Sequence, residues 1–264
     1  MNRPERYVFA LRVHPDQFSF TLHEPENEAS FFYYEIARGV NSDVFANFKQ
    51  FFFENPLLAS PFKRIYIMNY SGEFTFVPDF LYEKENEEEL IRFNFSHFSG
   101  KLLNQEVDRM KILHQMPKDT YQFLNRSFIN PRFIHHLSPL IRYFQKKQQD
   151  VNASRLIVNL WNKDLDILCF SDDRFILGNH YRVEQIQEAV YYTLFVWKQL
   201  KLEQIQDTLF VLGIKEQKQQ LISKLKPFIQ NIISVDGPQQ NPFVRTDMQY
   251  NIPFELSSLS LCEL

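Results

Sequence analysis

Apolar and polar positions alternate through the first part of the chain in short runs separated by turn-forming residues. Tyr7–Val13, Phe18–His23 and Ser30–Ala37 read as three strands. His14-Pro15-Asp16-Gln17 supplies the first reversal, because proline presets φ for a tight turn, and Pro25-Glu26-Asn27-Glu28 supplies the second. The period then changes. Val44, Phe45, Phe48, Phe51 and Phe52 recur at helical spacing, behind three N-cap candidates in Asn41, Ser42 and Asp43. Asn55-Pro56 ends that helix, since a residue before proline is pushed out of the α region. Arg64–Asn69 returns to strand patterning, which makes the order β-β-β-α-β.

The middle of the chain is less regular. Phe74–Pro78 is a short apolar piece, and the acidic run Glu83–Glu89 reads as a solvated first helical turn leading into Leu90, Ile91 and Phe93. Gly100 to Asp108 reads as irregular, and Asp108–Gln115 as a strand stopped by Pro117. Helices are expected over Thr120–Phe128 and from Asn130 to Gln149, with Asn130 as N-cap and Pro131 at the first helical position. The polar run Gln145–Asn152 looks like a joint.

Beyond it the first pattern returns. Arg155–Trp161, Asp164–Phe170 and Arg174–Tyr181 form a second three-strand meander. Val183, Ile186, Val190, Leu194, Trp197 and Leu200 then mark a helix with one buried face. The strand Thr208–Leu212, a helix through Leu221 and Ile229 that Pro227 should kink or end, and the strand Ile232–Val235 complete the plan. In the tail from Gly237, a non-regular start is expected. Phe254, Leu256, Leu259 and Leu261 are then expected to dock on the body rather than offer a strand to a partner.

Composition narrows the classes. The 264 residues are 44% hydrophobic and 23% charged, a globular balance. With a net charge of −3 and no basic stripe, nucleic-acid binding is not expected. No apolar run approaches the roughly 18 residues a membrane span needs, so no membrane insertion is expected. Cys169 and Cys262 sit in apolar contexts. With no signal peptide and no cysteine framework, a reducing cytoplasm is the expected location. Phenylalanine reaches 28 and glycine only 6, so the core is built from rings and few places let the backbone close on a phosphate.

The repeated order of elements resembles the actin-like ATPase superfamily, in which two ribonuclease-H-like lobes flank a nucleotide cleft. It is most similar to the actin-like proteins of pilus and secretion assembly, where a strand ending in proline, like Lys111–Pro117, precedes paired helices. Phe76-Val77-Pro78-Asp79 and Ile252-Pro253-Phe254-Glu255-Leu256 look like a bacterial family of this length with an actin-like fold and no established activity. The fold implied is α/β: duplicated ribonuclease-H-like (actin-like ATPase) lobes, each a mixed five-stranded sheet flanked by helices. The first lobe is expected over residues 1–151 and the second, with the C-terminal tail, over 152–264.

That resemblance implies a chemistry the residues do not supply. Such an ATPase holds Mg-ATP with an Asp-x-Gly hairpin in each lobe and a Gly-Gly turn under the adenosine. Aspartates hold the cation, and glycines admit backbone N–H groups to the phosphate oxygens. Here the hairpins read Arg12-Val13-His14 and Asn159-Leu160-Trp161, and Gly213 is followed by Ile214. Phosphoryl transfer depends almost wholly on positioning and metal electrostatics, so no catalysis and no cofactor are expected. The reading is a pseudo-ATPase that binds another protein, with Arg12, His14, Asn159, Trp161 and Gly213 as degenerate cleft positions. The alternative is a regulator that binds a nucleotide or anion at Arg12, His14 and Asn159 without hydrolysing it.

Other constellations are weaker. His135 and His136 are expected on a helix with rings about 100° apart, poorly placed to share a metal. No metal site is expected. Cys169 reads as core. Asp164, Asp166, Asp172 and Asp173 read as turn residues. A ribonuclease-H-like nuclease would need carboxylates on central strands, and none is expected there.

Overall fold

The computed structural model describes residues 3–36, 43–95, 99–147, 153–237 and 252–261. By packing, the chain divides into two units: Met1–Ser138, and Pro139–Gln239 with Arg245–Cys262.

In unit 1, β1 (Val8–His14), β2 (Gln17–Glu24) and β3 (Asn27–Glu35) form the antiparallel meander. The helix α1 (Val44–Glu54) leads to β4 (Arg64–Asn69), which pairs parallel with β1. Asp43 is the N-cap, its Oδ1 accepting from the Phe45 and Ala46 amides at 2.9 and 3.1 Å; Asn41 and Ser42 lie outside the described residues. After β5 (Phe74–Pro78) and α2 (Glu87–Asn94) come β6 (Lys101–Val107) and β7 (Met110–Met116). The helix α3 (Lys118–Ser127) and β8 (Arg132–His135) follow, and the five-stranded order is β3-β2-β1-β4-β8.

Two expectations fail in this unit. The stretch expected to be irregular is β6, paired with β7 from Lys101↔Met116 to Val107↔Met110 in a separate sheet of order β5-β7-β6. Asp108, at φ 56°, supplies the left-handed turn residue between them. The helix expected after Asn130-Pro131 is first the strand β8. Asn130 takes φ 49°, a turn conformation and not a cap, and β8 then pairs parallel with β4 from Tyr66↔Arg132 to Asn69↔His135. A helix begins only at α4 (Leu137–Lys146).

Unit 2 repeats the topology. The strands β9 (Arg155–Trp161), β10 (Asp164–Ser171) and β11 (Arg174–Arg182) form the meander, and α5 (Ile186–Gln199) leads to β12 (Thr208–Gly213). The helix α6 (Lys215–Leu225) stops before Pro227, and β13 (Ile232–Ser234) gives the order β11-β10-β9-β12-β13. Tail residues 238–251 lie outside the described residues. The last described element is a helix, α7 (Phe254–Leu261), with Phe254, Leu256 and Leu259 buried.

Each sheet is packed by its own helices. In unit 1, Phe9, Phe18, Phe48, Phe52 and Phe128 build a core of rings, with Phe18 and Phe48 stacked at 4.4 Å. In unit 2 every residue of β9 is buried, as a central strand covered on both faces requires. Leu156, Val158 and Leu160 enter a core with α5 and α6, and Phe144 of α4 meets Phe210 at 5.3 Å.

Candidate functional site

Ligands of open α/β sheets bind beyond the carboxyl ends of the parallel strands. In unit 1 those ends are Arg12–His14 on β1, Asn69 at the end of β4 with Tyr70 after it, and His135 at the end of β8 with His136 after it. The parallel register sets Val13 beside Asn69 and Asn69 beside His135. The position is filled by large side chains. Arg12 is 1% exposed, with its guanidinium over the Tyr70 ring at 4.7 Å. His14 is buried, 4.6 Å from the same ring, and its Nδ1 accepts from the Asp16 amide at 3.1 Å, which holds the hairpin turn. Tyr70 stacks on His136 at 3.8 Å.

His135 and His136 correct the helical expectation. His135 ends the strand β8 and His136 follows it, with the two rings 4.3 Å apart. His135 Nδ1 accepts from the Leu137 amide at 3.4 Å, so Nε2 carries the proton and donates to the Ser71 carbonyl at 3.1 Å. Both its nitrogens are engaged. Behind it lies His114, fully buried and 4.9 Å from the His135 ring. Its Nδ1 accepts from Asn69 Nδ2 at 2.9 Å, which places the proton on Nε2, an atom with no partner among the described residues. Burial first, then the charge His136 can carry, lowers its pKa to about 3.

Unit 2 presents a different row. Antiparallel register aligns Asn159, Asp166 and His180 across β9, β10 and β11, and Trp161, Asp164 and Arg182 in the next row toward the hairpin. Asn159 Nδ2 donates to Asp166 Oδ2 at 3.3 Å, and its buried Oδ1 finds no partner among the described residues. His180 Nδ1 lies 2.9 Å from Asp166 and Nε2 3.5 Å from Asp164, while Arg182 Nη1 reaches Asp164 at 3.1 Å. Burial works against the imidazolium, but the hydrogen bond and charge of Asp166, then Asp164, outweigh it and raise the His180 pKa. Trp161 is 5% exposed.

Asp164 and Asp166 therefore correct the turn reading. They lie on β10, 3% and 1% exposed, and are ion-paired with a neighbouring strand. Carboxylates do occupy a strand beside the centre of this sheet, contrary to expectation, but their oxygens face His180, Arg182 and Asn159. Asp172 and Asp173 are turn residues as expected, with φ of 49° and 57°. The row was missed because its signal needs a register. Asp164 and Asp166 share one face of β10, and Arg182 and His180 share the opposing positions of β11.

Gly213 is required by packing. It sits at φ +120° opposite Leu160, and a Cβ there would stand 1.9 Å from the Leu160 carbonyl oxygen. The Ile214 amide donates to that same oxygen at 3.2 Å. A small cavity beside it, ≈ 180 Å³ and lined by Leu160, Asn162, Gln185 and Gln217, is below the roughly 300 Å³ of an ordinary small-molecule site. Cys169 is buried, and its thiol is pushed up to about 12, chiefly by burial and then by Asp207, so it is a core residue without nucleophilic character. Among the described residues, no helix is long and apolar enough to cross a membrane.

The DUF3822 family, described as proteins of unknown function, matches residues 1–232, and the chain belongs to it. A comparison with functionally curated proteins returned no match. Among solved structures, the chain is similar to a Bacteroides thetaiotaomicron protein with an actin-like ATPase fold and unknown function. That likeness has a TM-score of 0.83 and 28% identity over 99% of this chain and 98% of that one. It is also similar to the PilM–PilN type IV pilus biogenesis complex, with a TM-score of 0.59 and 13% identity over 98% of each chain. The cytoplasmic domain of EpsL, an inner-membrane component of the Vibrio cholerae type II secretion system, matches with a TM-score of 0.50 and 6% identity over 97% and 94%. The fold is that of the actin-like ATPases, two lobes each built on a mixed five-stranded sheet.

Proposed function

We propose that this protein is a catalytically inactive member of the actin-like fold, a cytoplasmic pseudo-ATPase that works by binding another protein. One observation carries the reading. The hairpin positions where Asp-x-Gly would hold Mg-ATP carry Arg12 and His14 in unit 1 and Asn159 and Trp161 in unit 2, all buried. The first pair is packed on Tyr70, and Asn159 is bonded to Asp166. Neither hairpin offers a cation the free carboxylate it needs, and neither offers a phosphate a backbone without side chains. Gly213, the remaining glycine of the nucleotide motifs, is accounted for by its contact with Leu160. The PilM–PilN structure is a complex of two proteins, which supports a protein as the class of partner.

The test is thermal denaturation with and without millimolar ATP or ADP and Mg²⁺, run beside an assay for phosphate release. A nucleotide at a hundred times its dissociation constant adds about 2.7 kcal/mol and shifts the melting temperature visibly. No shift and no phosphate release are expected. Phosphate release above background overturns the reading, and a shift without release replaces it with a nucleotide-binding regulator.

A further inference from the structure

The segment between β5 and the end of α2 combines a buried anchor with exposed apolar side chains. A 3-10 turn at Asp79–Leu81 and another at Lys84–Asn86 lead into α2. One side of α2 is seated on the three-stranded sheet through Ile91, fully buried against Val77 and Leu113. Away from that contact, Phe80 is 85%, Leu81 62% and Phe93 88% exposed. Phe93 and Phe80 are the most exposed large apolar side chains among the described residues. Exposing two phenyl rings and a leucine within fifteen residues costs hydration free energy that burial against a partner would recover.

Charge says what that partner is. Residues 79–94 carry six carboxylates and two cations, Lys84 and Arg92, so this short stretch is more negative than the whole chain at −3. Part of that charge is used locally: Glu87 accepts from Tyr82 and Asn104, Glu83 accepts from Asn86, and Arg92 lies 3.9 Å from Glu88. Glu89 lies one helical turn before Phe93 on the same side of α2. The carboxylates would repel nucleic acid and anionic lipid, and they attract a cationic segment. Arg92 and Glu88 also border a groove of ≈ 550 Å³ with Lys101, Lys118 and Tyr121, where mixed charge marks the limit of the acidic surface.

We propose that residues 79–94 are the docking surface for the protein partner and receive a basic segment with apolar anchors. Its Lys or Arg side chains meet the carboxylates while the anchors cover Phe80, Leu81 and Phe93. This rests on the protein-binding reading above.

A random dodecapeptide library displayed on phage is panned against the full-length protein, with the Phe80→Ser/Phe93→Ser double variant as counter-target. Both rings are exposed, so the variant should keep the wild-type urea midpoint. Enriched peptides are expected to carry net positive charge and paired apolar residues. Synthetic copies should bind the wild type at least about tenfold more tightly than the variant, and lose affinity in Glu85→Lys/Glu89→Lys and in high salt. Neutral or acidic consensus peptides, equal binding to the double variant, or no enrichment would overturn the assignment. So would sedimentation with phosphatidylglycerol vesicles that disappears in the double variant. Phosphate release from ATP by the same preparations would refute the pseudo-ATPase reading and leave the peptide result to decide this surface separately.

Discussion

The two units share a strand order and a hairpin register, yet they treat histidine in opposite ways. Unit 1 sets His114 and His135 among aromatic rings, bonded to Asn69 and to the Ser71 carbonyl, and His114 is held neutral down to about pH 3. Unit 2 places His180 between two carboxylates, and its pKa is raised above the ordinary 6.5. One backbone plan thus fixes where the strand ends fall and leaves their chemistry open. The rings and ion pairs at the two hairpins are separate solutions to filling similar positions, and each should fail in its own way.

The largest effect is expected at Gly213, where the backbone plan itself is at stake. In Gly213→Ala the new Cβ must displace the Leu160 backbone, at a φ that L-residues rarely adopt. We expect a loss of at least about 3 kcal/mol, or failure to accumulate folded protein. Urea unfolding followed by tryptophan fluorescence suits this variant, since Trp161 and Trp197, the chain's 2 tryptophans, both lie in unit 2. A midpoint like that of the wild type would show that β9 and β12 do not approach as closely as described.

Next comes Asp166→Asn, which leaves His180 with only Asp164 for charge and weakens a buried pair, at a cost of about 3 kcal/mol near neutral pH. The raised His180 pKa fixes the sign of the pH dependence. The native state holds its proton more tightly than the unfolded chain, so the contribution is fully present below 6.5 and is lost as pH rises through the folded value. The wild type should therefore lose unit 2 stability as pH rises above 6.5, and Asp166→Asn should lose less there. Parallel profiles for the two proteins would remove His180 as the cause.

His114 should behave inversely. Above 6.5 it is neutral in both states; as pH falls toward about 3 the unfolded chain gains a proton that the folded chain refuses. Stability falls through that window. His114→Leu removes the buried Nε2–H that has no partner and leaves Asn69 its bond to the Gln115 carbonyl at 2.9 Å, so the cost at pH 7 should stay within about 1 kcal/mol. The acid limb of a urea-midpoint profile, read by circular dichroism, should flatten. An unchanged limb would mean other groups set the acid response.

Much of the fold was legible because the central strands and amphipathic helices carry their period in their own residues. What was missed depended on a neighbour. Arg132–His135 is too short to show alternation, and Asn130-Pro131 suits a helix start as well as a turn; pairing with β4 decides for β8. The polar β6 is a strand because β7 offers it a ladder. Arg12, His14, Asn159 and Trp161 could be placed at hairpin ends from the order of elements alone. The ion pairs of Asp164 and Asp166 could not, because moving one strand by one residue would send those side chains to the other face.

The smallest expected difference concerns how each meander hands over to its helix. Asp43 caps α1 with one side-chain oxygen on two amides, whereas α5 begins with a capping box in which Glu188 accepts from the Gln185 amide and Gln185 from the Glu188 amide. Glu188 also accepts from the Glu184 amide at 2.6 Å. A lost cap leaves orphan N–H groups to water, a cost of about 1 kcal/mol for Asp43→Ala. In Glu188→Ala the Gln185 side chain still holds the first turn, so about half that cost is expected. Measured by urea midpoints at pH 7, the order Asp43 above Glu188 would mean that unit 1 relies on one capping residue where unit 2 shares the task. Equal or reversed costs would mean that the reciprocal box behaves as a single unit, failing whole when either side chain is removed.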